Sequence, residues 1–190
     1  MTTKRTYSAE DITAIQPLPQ GDLWIFGYGS LMWRPGFPVL QTRRAIVHGW
    51  RRSLCVWSWV HRGTQQKPGL VMGLDRGGAC VGQALKIAAE ERDHVLAYLA
   101  EREMVTAVYV PRLVSVRMPG HTEPVSALTF IADRAHPQYA PGLSVDDAAR
   151  TVRAGQGQSG ANPDYVLQTV EHLDELGIRD TFLRQVAARL

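Results

Sequence analysis

Apolar residues follow two different periods along this chain. Early on they come in short β-branched and aromatic runs; later they recur every three or four positions. Residues 23–28, LWIFGY, bounded by Gly and Asp, predict a buried first strand. A loop from Gly29 to Pro38 follows, carrying two prolines and two glycines. Residues 43–60 are β-rich, and their alternation breaks near Gly49, which predicts a bend or bulge. The stretch 61–69, HRGTQQKPG, is polar with turn chemistry at both ends. Two short strands, 70–75 and 80–87, are expected around a hairpin turn at Asp75-Arg76-Gly77-Gly78. The period then changes: Ala88, Val95, Leu96 and Leu99 share one helical face over 89–103. Glu90, Glu91 and Asp93 sit near its start, where carboxylates suit the helix dipole.

Strand-like segments resume at 104–118 and 124–132, and the remainder is helical in character. Ser144 with Asp147 three residues on resembles a cap. Asn162 or Asp164 can cap a helix bearing Val166, Leu167, Val170, Leu173 and Leu176, which Gly177 ends. A last short helix spans 180–190. Strands in a block, one inserted helix and terminal helices predict an α+β fold: a small, mostly antiparallel β-barrel with flanking helices. Residues 1–22 read as an extension ending in a Pro-rich turn, and 23–190 as a single domain.

The 190 residues are 45% apolar and 21% charged, enough for a sizeable core. No apolar run approaches the ~18–20 residues a bilayer crossing requires. The polar N-terminus lacks the apolar stretch of a secretory signal. Net charge is +3, but its arginines are scattered, with only Arg43-Arg44 and Arg51-Arg52 clustered, so no nucleic-acid partner is expected. Cys55 and Cys80 sit in apolar runs and make no CxxC motif; buried thiols in a reducing cytoplasm fit them. The six histidines show no metal-ligand spacing, and neither metal nor cofactor is expected.

Three segments carry candidate chemistry. In Phe26-Gly27-Tyr28-Gly29-Ser30-Leu31 a strand runs into a glycine-flanked turn, whose N–H groups can cradle an anion. It is neither a nucleophile elbow nor a dinucleotide or phosphate loop, and Ser30 reads as a turn residue. Glu103 lies about 80° around the helical wheel from Val95, on the apolar side, whereas Glu101 faces solvent. A carboxyl on a buried face is paired or functional, and burial raises its pKa toward neutrality. The third segment, 157–165, carries glycines before a helix; it reads as a flexible connection with an N-cap or as a cover over a ligand. Tyr28, Tyr109 and Tyr165 by themselves read as core aromatics.

Taken together and in order, these segments resemble the ChaC family of glutathione-specific γ-glutamylcyclotransferases. The carrying residues are FGYGSLMWRPGF (26–37), HRGT with a following Pro-Gly (61–69), Tyr98-Leu99 leading to Arg102-Glu103-Met104, Tyr109, and Ser-Gly-x-Asn-x-Asp-Tyr (159–165). The similarity runs over about 23–178. Many relatives carry Gly-Gly where this chain has Ala107-Val108. The resemblance implies a β-barrel with flanking helices and cleavage of glutathione to 5-oxoproline and cysteinylglycine. It implies Glu103 as the catalytic glutamate and Phe26, Gly27, Tyr28, Gly29, Ser30 and Leu31 as the substrate loop, with Tyr109 and Tyr165 as further binding residues.

That chemistry needs no protein nucleophile. The α-amine of a γ-glutamyl group can attack its own γ-carbonyl and close a five-membered ring, given a near-attack pose. The expectation is that the 29–31 backbone fixes the α-carboxylate and Glu103 moves the proton. A cyclotransferase acting on other γ-glutamyl amines or amino acids, and a non-catalytic glutathione-binding module, are the alternatives.

Overall fold

The computed structural model describes residues 8–190. It contains a closed barrel of five strands in the order β1-β3-β2-β4-β5, as the strand block led us to expect. The strands are β1 (Leu23–Gly27), β2 (Gln41–Ser58), β3 (Gly69–Ile87), β4 (Tyr109–Arg117) and β5 (Val125–Ala132). β1 pairs antiparallel with β3, from Leu23 opposite Ile87 to Gly27 opposite Gln83. β4 pairs antiparallel with both β2 and β5. The parallel pairing of β1 with β5 closes the ring. The chain divides into two units, one of 8–51 with Arg76–Asp133, the other of Arg52–Asp75 with Arg134–Leu190.

In the first unit, alternate residues of the sheet make one apolar face: Leu23 and Ile25 of β1, Leu85 and Ile87 of β3, Leu128 and Phe130 of β5. Helix α2 (Arg92–Glu103), entered through a 3-10 turn at Ala89–Glu91, covers that face with Val95, Leu96, Leu99 and Ala100. Each fully buried aliphatic side chain contributes about 1.5–3 kcal/mol, so this layer fixes where α2 ends. A short helix, α1 (Ala9–Ile15), packs on α2, and its Ile12 is fully buried in the same cluster. This helix lies within the segment the sequence presented as an extension.

Two strand readings change. Residues 69–87 form one strand, not two strands around a turn at 75–78. Gly77 and Gly78 do adopt positive φ, +100° and +69°, but as a kink inside β3. Glycine can take up positive φ without reversing the chain, and here the strand runs on through 75–78. The expected break at Gly49 in β2 is present, with φ +81°. The strand expected from 104 starts only at Tyr109. Residues 104–108 form a turn in which Ala107 N–H donates to Met104 O and Ala107 sits at φ +59°.

The second unit holds the outer parts of β2 and β3, a two-residue hairpin of β6 (Gln156–Gly157) and β7 (Gly160–Ala161), and helices α3 (Val145–Ala154), α4 (Asn162–Glu175) and α5 (Thr181–Ala187). The three helices pack on one another. Ser144 caps α3 by accepting Asp147 N–H, and Asp180 caps α5 by accepting Leu183 N–H. Gly177, at φ +63°, ends α4 with Ile178 N–H bonded back to Leu173 O. Asn162 does not cap α4. It is the first helical residue, fully buried, and its side chain accepts from Leu70 N–H (2.7 Å) and donates to Leu70 O (2.8 Å).

Candidate active site

The loop after β1 folds back at once. Phe26 is fully buried, and its carbonyl accepts the Thr129 hydroxyl at 2.9 Å. Gly27 carries the chain past Leu31 and Met32, which lie 3.3–3.4 Å from where a Cβ would stand. Tyr28 is buried and donates its hydroxyl proton to Phe130 O at 2.9 Å, so that proton is committed to the scaffold. Gly29 leads into a 3-10 turn over Ser30–Met32, and Leu31 enters the apolar cluster. Met32 N–H and Arg34 N–H donate to the carbonyls of Gly29 and Ser30. The leading N–H groups of such a turn have no upstream acceptor within it.

Glu103 is the last residue of α2. Leu99 and Ala100 below it and Met104 beyond it are buried, and its own side chain keeps 17% of its exposure. Burial pushes its carboxyl pKa above the ordinary value, and the Arg102 guanidinium beside it opposes that rise. A carboxyl so placed holds a proton more tightly than a solvated one, which suits a group that must take a proton and return it.

Arg102 connects this carboxyl to the loop. Its Nε lies 3.2 Å from Glu103 Oε1. Its Nη2 donates to Ser30 Oγ at 2.9 Å. Its Nη1 lies 2.7 Å from Arg34 O, 3.1 Å from Pro35 O and 2.9 Å from the Tyr98 hydroxyl. Tyr98, one turn earlier on α2, stands edge-on to Phe37 and fits only because residue 36 is glycine; a Cβ there would lie 2.1 Å from the tyrosine oxygen. Sequence reasoning quoted Tyr98 and Arg102 for the resemblance but gave them no role. Their i, i+4 spacing on α2, with Arg102 next to the acid, was the available signal.

Tyr109, the first residue of β4, is half-buried and packs against the same apolar cluster. The structure thus brings 26–31, Glu103 and Tyr109 together in the first unit. Tyr165 belongs to the second unit. There its hydroxyl accepts Met72 N–H at 3.0 Å, and the Arg62 guanidinium stands 5.4 Å from its ring centroid. Segment 157–165 is fastened along the 60–62 backbone. Gln158 and Ser159 N–H donate to Val60 O and His61 O, Ser159 Oγ lies 3.0 Å from His61 Nδ1, and Arg62 donates to Ala161 O. A third cluster, unforeseen in the sequence, sits in that unit: buried Asp75 accepts from Arg134 Nε (2.7 Å) and the Tyr139 hydroxyl (3.2 Å). No group of three or more His, Cys, Asp and Glu among the described residues could hold a metal ion. No helix among them is long and apolar enough to cross a membrane.

The family described as ChaC-like protein matches residues 23–190. The chain belongs to the ChaC-like family. The glutathione-specific gamma-glutamylcyclotransferase of Escherichia coli (strain K12) is 33% identical over 168 residues, 88% of this chain and 72% of that protein. The glutathione-specific gamma-glutamylcyclotransferase 1 of Homo sapiens is 33% identical over 167 residues, 85% of this chain and 75% of that protein. Among solved structures, a selenomethionine-labelled γ-glutamyl cyclotransferase specific to glutathione from yeast superposes with a TM-score of 0.80 at 21% identity, covering 90% of this chain and 96% of that one. It extends the ChaC-like likeness to the barrel fold itself.

Proposed function

We propose that this protein cleaves glutathione to 5-oxoproline and cysteinylglycine. The observation that carries the reading is the enclosed Glu103 carboxyl, with its raised pKa, tied through one guanidinium to the loop after β1. The family and the printed activities of its relatives support it.

The N–H groups that open the Ser30–Met32 turn bind the glutamyl α-carboxylate. Glu103 takes a proton from the α-ammonium. The freed amine attacks the γ-carbonyl, forming the ring C–N bond and placing negative charge on the carbonyl oxygen. Collapse breaks the bond to the cysteinyl nitrogen, which receives that proton from Glu103. The ring nitrogen, still carrying two hydrogens after the attack, gives its second proton to the freed carboxylate, which hands it to the departing amine, so the cysteinyl nitrogen leaves as an ammonium and the Glu103 carboxylate is regenerated. Because both reacting atoms belong to one substrate, holding it curled supplies much of the acceleration. Tyr109, at the start of β4 beside the apolar cluster, is assigned to substrate binding. Tyr28 orders the loop through Phe130 O, and the buried Phe26 and Gly27 set its take-off. Tyr165 reads as an anchor for β3 through Met72. A reducing cytoplasm is the compartment in which the substrate abounds.

The test is incubation with reduced glutathione and detection of 5-oxoproline and cysteinylglycine, with γ-glutamylalanine in parallel. Release from glutathione far exceeding release from γ-glutamylalanine is expected. Equal release would move the reading to general γ-glutamyl substrates, and calorimetric binding without product would reduce it to a binding module.

A further inference from the structure

Glu103 and the substrate loop lie on separate elements, more than seventy residues apart in sequence. Something must hold their distance while the substrate enters, and backbone pairing does not. Tyr28 and Phe26 tie the start of the loop to β5, but the backbone hydrogen bonds within 29–34 are local, Met32 to Gly29 and Arg34 to Ser30. From the last turn of α2, a single side chain reaches several polar groups of 30–35. Arg102 reaches Ser30 Oγ, Arg34 O and Pro35 O, and its Nε is turned onto Glu103. Neighbouring residues on a helix diverge by about 100°, so an Arg–Glu pair at i, i+1 does not form by default. Here the guanidinium is drawn across the helix end by its loop acceptors, and the pair follows. Tyr98 supports it from one turn below: its hydroxyl accepts from Nη1, its ring lies 5.8 Å from the guanidinium carbon, and glycine at 36 makes room for it.

We infer that Arg102 is a positioning residue that clamps the 30–35 loop to the end of α2, setting the distance between the α-carboxylate cradle and the Glu103 carboxyl. The clamp's kinetic consequences rest on the cyclisation reading above; its effect on the loop does not. A planar fork with several donors in fixed directions is required. Lysine keeps the positive charge beside Glu103 but cannot reach three loop oxygens at once. Methionine keeps the stem and removes both the charge and the fork.

Two readouts test it. Hydrogen exchange of the 29–37 amides is expected to be faster in Arg102→Lys and Arg102→Met than in the wild type, with exchange in β4 and β5 unchanged. In turnover of glutathione, both variants are expected to lose on the order of 10²-fold in kcat/KM, the scale of a displaced catalytic group, with a clear rise in KM. The acid limb of the pH profile is expected to stay in place in Arg102→Lys and to move to higher pH in Arg102→Met, where the cation beside Glu103 is gone. A general structural defect would not separate the two limbs. Wild-type exchange over 29–37 in both variants overturns the clamp, whatever the activity. Failure of the wild type to turn over glutathione counts against the cyclisation reading alone, since the exchange result still decides. If neither Arg102 variant folds, Ser30→Ala removes one contact of the set. Slower loss of the same kind, intermediate exchange over 29–34, is then expected, and unchanged exchange is the contrary result.

Discussion

At the scale of single residues, the chain separates two acids that lie two positions apart. Glu101 is exposed; Glu103 is enclosed, and burial raises its pKa. Glu103→Gln is nearly isosteric and keeps a hydrogen-bonding partner for Arg102, but cannot carry a proton. It is expected to retain the fold by circular dichroism and lose at least 10²–10⁴-fold in turnover, the range of a general acid–base group. Glu101→Gln is expected to stay within twofold of the wild type (about 0.4 kcal/mol in the barrier). Product release by a folded Glu103→Gln protein at the wild-type rate would remove the carboxyl from the mechanism. Helical spacing made this distinction legible without any coordinates. Arg102 was not legible in the same way, because its loop acceptors are 67–72 residues distant. Ala107 is the one non-glycine residue among those described at positive φ, so the turn between Glu103 and Tyr109 carries a backbone conformation that a β-carbon disfavours.

At the scale of elements, long regular patterns were readable and exchanges between distant backbones were not. The face of α2 follows from Val95, Leu96 and Leu99 alone, and the caps at Ser144 and Asp180 and the stop at Gly177 are local chemistry. Segment 157–165 is the opposite case. Its glycines suggested flexibility or a cover, but Gly157 marks close packing: a Cβ there would lie 2.5 Å from His61 O, and at the start of β3 one on Gly69 would lie 2.2 Å from Arg62 O. Asn162 completes this interlock by acting as a backbone partner for Leu70, 92 residues away. No local rule distinguishes such an asparagine from an N-cap. Asn162→Ala leaves a buried N–H and a buried carbonyl without partners, which costs about 1–3 kcal/mol for each group. A clear drop in the denaturation midpoint, at an unchanged denaturant slope, is the expected result in urea. An unchanged midpoint would mean that the two bonds to Leu70 add nothing to stability.

At the scale of the whole molecule, the enclosed acid leaves a trace in stability as well as in catalysis. Its pKa is raised in the folded state by burial, with Arg102 offsetting part of that rise. The folded protein therefore holds this proton at pH values where the unfolded chain has already released it. Between the ordinary carboxylate pKa and the raised one, the folded state binds more protons, so stability falls as pH rises through that window. Below the window the group costs nothing relative to the unfolded chain; above it the full cost of an ionised, enclosed carboxylate remains. Glu103→Gln removes this one term and leaves every other titration in place. The difference in unfolding free energy between variant and wild type is thus expected to be smallest at acid pH, to grow in the variant's favour through the window, and to level off above it. Urea denaturation at a series of pH values measures that curve directly. A difference that stays flat would mean that folding leaves this carboxyl's proton affinity unchanged, and one that turns against the variant as pH rises would mean that the carboxyl is stabilised when ionised; a general base with that preference would hold its proton too weakly to return it to the leaving amine.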